Sequence, residues 1–410
     1  MIKFLRSPAG LGMIVSIVIG GIIALIIALT VRVNITNRQE DRIVKRIVTE
    51  LGTYTDGALD KGSPIKKDVT VGILAMDEAM RGKGKEKWDE AIGVFRSLLP
   101  KAEGSQKVAL FNLIGICFYH QSDFYKALGN YEESLELATK IKDKEGEAVN
   151  LGNIGLIYYT KGELAQALEY HLKSLKIEEE LGRKEGIAAS LTNIGLIYYK
   201  KGELDKALEY SEKGLKITKE LGRKEWIAKS LTNIGLIYWT KGEYKKEELD
   251  KALEYQEQAL EINRELGSKD GIAHSFGNIG NIYSKKGEPD TALEYQEQSL
   301  KISEELGSKE GIAASLTNIG LIYWTKGELV QALEYQERSL KIEEELGRKE
   351  GIATSLTNIG LIYWRKEEPD KALEYYNRAL GLFTEMGMKR DIELVKQNIA
   401  KVNAKIKPHP

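Results

Sequence analysis

The hexapeptide Asn-Ile-Gly-Leu-Ile-Tyr begins at Asn153, Asn193, Asn233, Asn318 and Asn358, with a variant at Asn278. The central glycines are Gly115, Gly155, Gly195, Gly235, Gly280, Gly320 and Gly360, spaced by 40 residues except for 45 between Gly235 and Gly280. Self-similarity at a fixed period of this length means stacked supersecondary units, each burying its apolar face against neighbours. The extra residues are Tyr244 to Glu248, between Gly242-Glu243 and Leu249. An insertion confined to one turn marks that turn as exposed.

Each unit reads as two helices. The first, from Gly186 to Tyr199, carries Ile187, Leu191, Ile194 and Tyr198 at spacings of three and four. It stops near Lys201-Gly202, where glycine accepts a left-handed backbone. The second starts at Glu203 and places Ala207, Leu208, Leu215 and Ile217 inward. Pro289 and Pro369 stand at the equivalent start, where a missing N–H costs nothing. A Leu-Gly pair closes the second helix at Gly182, Gly222, Gly267, Gly307 and Gly347. Glu169 with Lys173 and Glu209 with Lys213 are four apart on the outward side, a solvated face and not a site.

The repeats resemble tetratricopeptide repeats over about residues 106 to 387. One unit shows the pattern as Leu151, Asn153, Ile154, Gly155, Tyr158, Gly162, Ala167, Tyr170 and Ser174. Alanine fills one slot throughout (Ala127, Ala167, Ala207, Ala252, Ala292, Ala332, Ala372). The long period is similar to the lengthened repeats of kinesin light chains and of Pins-type spindle-orientation adaptors. Ser122 and Glu367 replace the turn glycine, which predicts looser turns in the first and last units. The fold implied is all-α, a right-handed α-solenoid of helix hairpins. Residues 68–105, with Trp88, Ala91, Phe95 and Leu99, read as a degenerate first repeat; 106–387 as seven units; 388–410 as a capping helix and tail.

The N-terminal part reads differently. After a tail, 1–10, residues 11–33 are almost wholly aliphatic, and a bilayer core needs roughly 20 such residues of helix. The run is longer than a signal-peptide core and ends in Thr30-Val31-Arg32-Val33 with no small-residue cleavage site, so a single transmembrane helix preceding the repeats is expected. Gly12, Ser16, Gly20, Ala24 and Ala28 recur every four residues, a spacing that suits a homo-oligomer through the membrane helix, although Gly and Ala are also simply common in such helices. Residues 34–67 read as a juxtamembrane helix and linker. Lys and Arg counts favour the cytoplasmic side for the repeats, giving a single-pass membrane protein.

Lys plus Arg total 60 and Asp plus Glu 61, a net charge of −1. Nucleic-acid binding needs a concentrated basic surface, so no nucleic-acid partner is expected. The lone Cys117 rules out an intrachain disulfide. His120, His171, His274 and His409 lack metal-ligand spacing, and Gly82-Lys83-Gly84-Lys85 resembles a phosphate loop in composition only. No catalytic residue, metal or cofactor is expected, and the chain does not read as an enzyme.

What repeats is a surface. The resemblance implies that first helices line a concave groove holding an extended peptide. One groove position is Asn153, Asn193, Asn233, Asn278, Asn318, Asn358 and Asn398, whose amides offer a donor and an acceptor to a peptide backbone. The alternative is that these Asn brace neighbouring helices. A second position holds Tyr119, Tyr159, Tyr199, Trp239, Ser284, Trp324 and Trp364; aromatic side chains there are anchors for a ligand or packing between units. A third alternates His120, Thr160, Lys200, Thr240, Lys285, Thr325 and Arg365, a mildly basic line that suits a slightly acidic segment. His274, Asn281 and Ser284 make one unit the least apolar, a local specificity point. The function expected is a membrane-anchored scaffold that binds a protein or peptide ligand in this groove. The alternative is a structural spacer working through its convex face and its membrane helix.

Overall fold

The computed structural model describes residues 66–79, 84–242 and 245–406. Among them every long element is an α-helix: α1 (Lys66–Glu78), α2 (Lys85–Leu98), α3 (Ser105–His120), α4 (Phe124–Ile141), α5 (Lys144–Lys161), α6 (Leu164–Leu181), α7 (Lys184–Lys201), α8 (Leu204–Leu221), α9 (Lys224–Lys241), α10 (Glu247–Glu265), α11 (Lys269–Lys286), α12 (Pro289–Leu306), α13 (Lys309–Lys326), α14 (Leu329–Glu345), α15 (Lys349–Arg365), α16 (Pro369–Glu385) and α17 (Lys389–Ile406). Both prolines expected at helix starts open α12 and α16.

The expectation of a single-pass membrane protein is corrected here. No helix among the described residues is long and apolar enough to cross a membrane. Residues 11–33, on which that reading and the self-associating anchor rested, lie outside the described residues.

The chain divides into two compact units between Trp226 and Ile227. In the N-terminal unit, α3–α4, α5–α6 and α7–α8 are antiparallel hairpins stacked in chain order, following α1 and α2. Its core is formed by Leu110, Leu113, Ile114, Ile154, Ile157 and Ile194, each less than 2% exposed or fully buried. In the C-terminal unit, α11–α12, α13–α14 and α15–α16 repeat the hairpin, and α17 closes the stack by burying Val395 and Val402 against Tyr376 and Phe383. The outer side of α17 is mostly polar, with Leu394 and Ile406 exposed on it.

Four hairpins, α7–α8, α11–α12, α13–α14 and α15–α16, are locked at both ends. Near the turn a tyrosine of the first helix stacks on one of the second, as in Tyr198–Tyr210 (5.4 Å) and Tyr323–Tyr335 (5.5 Å). Lysines at the starts of α11, α13 and α15 reach the ends of α12, α14 and α16 through Lys269–Glu305, Lys309–Glu345 and Lys349–Glu385. The four-apart pairs Glu169–Lys173 and Glu209–Lys213 form at 2.6 and 2.7 Å on exposed faces.

The turn inside the hairpin needs one left-handed residue. At Gly202 (φ 77°) the amide donates to Tyr199 O, and Glu203 N donates to Tyr198 O, both at 3.0 Å. Ser122 (φ 62°) and Glu367 (φ 61°) adopt the same conformation. Their amides close the same bonds, Ser122 N to Tyr119 O at 2.9 Å and Glu367 N to Trp364 O at 3.2 Å. The expected looser turns are therefore absent. The loop geometry is kept, and a β-carbon is held where glycine fits better. Ser122→Gly should raise stability by about 1 kcal/mol, read as a higher urea midpoint of the full chain. An unchanged or lower midpoint would show that the turn carries no backbone penalty.

Candidate functional site

Where first and second helices of a hairpin cross, the central glycine decides what can lie between them. A Cβ on Gly280 would stand 2.8 Å from Nε2 of Gln296, and one on Gly320 would stand 2.7 Å from that of Gln336. Both glutamines are fully buried, and a buried carboxamide must be hydrogen-bonded. Gln296 Nε2 donates to Gly277 O (2.8 Å) and Asn281 Oδ1 (2.9 Å), while its Oε1 accepts from Asn318 Nδ2 of the next hairpin (3.4 Å). Gln336 bridges Thr317 O and Asn358 in the same way, and Gln256 bridges Thr232 O and Asn278.

In the C-terminal unit the Asn row is thus fixed from behind. Asn278, Asn318 and Asn358 are half-buried, each with its Nδ2 bonded to a glutamine at 3.3–3.4 Å. Asn233, on α9, is half-buried as well.

In the N-terminal unit the crossing position is Tyr131, His171 or Ser211, and no glutamine stands behind the row. Asn153 and Asn193 are buried (3% and 6% exposed), and Asn153 Nδ2 has no hydrogen-bond partner. An orphaned buried donor costs about 1–3 kcal/mol. The nearby buried network runs elsewhere: Asn112 Nδ2 donates to Asn150 Oδ1 (2.7 Å), and Asn150 to Ser134 Oγ (2.8 Å).

The aromatic and basic rows prove to be a single device. Four of the rings lie under a cation one repeat further on. Lys200 sits over Tyr159 (5.4 Å), Lys285 over Trp239 (4.2 Å), Arg365 over Trp324 (5.2 Å) and Lys405 over Trp364 (5.0 Å). Where the third residue is neutral, Thr160 bonds Tyr119 Oη (3.2 Å), and His120 stacks on Trp88 (4.7 Å). Lys285 Nζ also donates to Trp239 O (3.1 Å), and Arg365 Nη1 to Trp324 O. A cation held against a ring and a carbonyl has little freedom left, so these charges brace one hairpin on the next as well as colouring the face.

Tyr159 is buried, whereas Tyr199, Trp239, Trp324 and Trp364 are half-buried. The indole Nε1 atoms of Trp239 and Trp324 are buried without partners. Asn281 and Asn278 line a crevice of about 50 Å³ with Trp239 and Gln256, while His274 turns to Asp270 (3.6 Å) and does not join them. Cys117 is fully buried, and desolvation raises its thiol well above the ordinary range.

Two groups behind the N-terminal face were not anticipated from sequence, His171 and the Glu178–Arg183 pair. The signal for His171 lay sixteen residues after the central glycine (twenty-one where the insertion falls), a register that reads Tyr131, His171, Ser211, Gln256, Gln296, Gln336 and Tyr376. His171 is 1% exposed, and burial pushes its imidazole down to about 4. Glu178 is 3% exposed, and burial pushes its carboxyl up to about 7 against the pull of Arg183, whose Nη1 is 3.5 Å away.

The profile of the tetratricopeptide repeat matches residues 107–180, 186–248, 243–305 and 311–385. The chain belongs to the tetratricopeptide-repeat family. No curated protein sequence matches it. Among solved structures, the apo quorum sensor NprR from B. thuringiensis is 16% identical, with TM-score 0.62 over 84% of this chain and 94% of NprR. The apo form of RapI is 18% identical, with TM-score 0.56 over 70% of this chain and 99% of RapI. A Rap protein complexed with Competence and Sporulation Factor is 14% identical, with TM-score 0.52 over 83% and 99%. At such identities the likeness of this tetratricopeptide-repeat protein to them is one of fold.

The two buried titrations act in opposite senses. His171, depressed, supplies stability that is present above the ordinary imidazole range and lost as pH falls through about 4. Glu178, raised from 4.5, supplies stability that is complete below 4.5 and lost as pH rises through about 7. Glu178→Gln should therefore gain on the parent between these two values, by on the order of 3 kcal/mol at full ionisation. Urea midpoints of both proteins at pH 5 and pH 8 measure this; a difference independent of pH would contradict the assignment.

Proposed function

We propose that this protein binds an extended segment of a partner protein across the faces presented by its first helices, working as a protein-interaction scaffold. The observation that carries the reading is the bracing of Asn278, Asn318 and Asn358. Their Nδ2 groups are held by buried glutamines of the preceding hairpins, which fixes each amide plane at the cost of one donor. The carbonyl oxygen of each amide is then the group that can accept from the N–H of an extended backbone, and the half-buried tryptophans beside them supply flat apolar contact. A row of acceptors at every hairpin recognises backbone, so sequence preference must come from the side-chain sites between them. The Rap protein of the same fold is a complex with Competence and Sporulation Factor, so an array of this fold can take up a partner.

The basic residues Lys200, Lys285 and Arg365 contribute less to selection than their charge suggests, because each is already stacked on a ring. Against a display library of extended peptides, the purified chain should select binders that Asn278→Ala/Asn318→Ala/Asn358→Ala loses by at least tenfold, with helix content unchanged. Selection of the same peptides at equal affinity by the triple variant would overturn the groove reading.

A further inference from the structure

The N-terminal unit holds a slot that combines a buried histidine with a buried Glu–Arg pair, the pair alone recurring as Glu343–Arg348 in the C-terminal unit. Between α5 and α7, with α6 as its floor, the slot encloses about 40 Å³. Gly152, Gly186 and Ala189 stand half-exposed at its mouth. His171, Ser174 and Glu178 line the floor at positions i, i+3 and i+7 of α6, a run of roughly 10 Å at 1.5 Å per residue.

Three substitutions open it. Gly152 occupies a register that is Thr192, Thr232, Thr317 or Thr357 in four other units and Gly277 in a fifth, and the space a Cβ would fill there meets only Ser174 Oγ, at 3.6 Å. His171 stands where Gln336 closes the C-terminal equivalent by reaching Thr317 O and Asn358. Ala189 stands where Thr354 does, a register that is also alanine at Ala314. Gly186 completes the frame, since a Cβ there would run into the Glu178 carboxyl at 2.1 Å.

The two ends differ in chemistry. At one, Asn153 Nδ2 is a buried donor with no acceptor. At the other, Glu178 Oε2, Glu145 Oε1 and Arg183 Nη1 lack hydrogen bonds, and the two carboxylates share that one guanidinium at 3.5 and 3.2 Å. Glu185 lines the same end, with Arg223 3.6 Å from it. Acidic groups therefore outnumber basic ones, in a place where water screens them poorly. Between the ends, Ala148, Val149 and Ala189 are small and apolar.

A ligand that satisfies both ends carries a carbonyl oxygen, a stem of three or four methylenes and a cation. We propose that this slot receives an arginine or lysine side chain of the bound segment, its backbone carbonyl on Asn153 and its charge toward Glu178 and Glu145. The inference rests on the groove reading given above and names the side chain that reading leaves open. The span matches: a basic side chain reaches about as far as seven helical residues rise, once its own carbonyl is included.

The test uses the full chain labelled with ¹³C and ¹⁵N in histidine, so that the His171 ring reports on the slot. N-acetyl-L-arginine methylamide is titrated beside the glutamine and glutamate analogues. The arginine compound should shift His171 saturably, at least tenfold more tightly than either analogue. Gly152→Thr, which closes the mouth, and Glu178→Gln, which removes the charge, should each weaken it at least tenfold. Equal response to the glutamine compound, preference for glutamate, or no response of His171 to any of the three overturns the proposal. The groove reading is judged separately by the peptide panel. Peptides that bind without a basic-residue preference sink the slot alone, while arginine binding without any peptide binding leaves the slot and sinks the groove.

Discussion

Everything else in this molecule depends on the close crossing at the central glycine of each hairpin. With no side chain on the first helix, the second helix can lay a polar or aromatic group directly on its backbone. That group is buried whatever it is, so its hydrogen-bonding needs must be met inside the protein. Glutamine meets them by turning one end to the backbone of its own hairpin and the other to the asparagine of the next. The same contact that closes one unit therefore orients the half-buried row of its neighbour. Tyr376 does the closing without the linkage, and His171 leaves Nδ1 unpartnered.

The two units use the same hairpin to different ends. In the C-terminal unit carboxamides seal the crossings at Gly235, Gly280 and Gly320 and Tyr376 the one at Gly360, and the face offers half-buried Asn278, Asn318 and Asn358 with Trp239, Trp324 and Trp364. In the N-terminal unit the asparagines are deeper, one lacks a partner, and a slot lined by carboxylates opens beside them. Uniform rows suit recognition of backbone; an interruption suits recognition of one side chain. On the proposed groove reading, specificity in a near-identical array falls to the positions where the repeat is broken.

Much of the fold was legible because a 40-residue period leaves few alternatives, and helix ends were marked by Gly202-type turns and by Pro289 and Pro369. Ser122 and Glu367 misled, because hydrogen bonding holds the turn even where glycine is missing. Residues 11–33 gave a membrane expectation that no described helix supports. At the face, residue identity showed which positions repeat but not what lies behind them. Lys200 and Tyr159 sit 41 residues apart, and nothing local to either predicts that one covers the other. Glu178 opens a run of three glutamates, yet it is 3% exposed because Gly186 leaves room for it.

The account stands most directly on the link between the buried glutamine and the asparagine of the following hairpin. Side-chain amide hydrogen exchange of Asn318 in the full chain, compared between the parent and Gln296→Met, measures that link. Methionine keeps the volume and removes both hydrogen-bonding ends. If the glutamine fixes the asparagine, exchange at Asn318 accelerates by about tenfold in the variant, the equivalent of a bond near 1.4 kcal/mol. If Asn318 exchanges at the same rate in both proteins, the rows are not held from behind and the bracing argument fails.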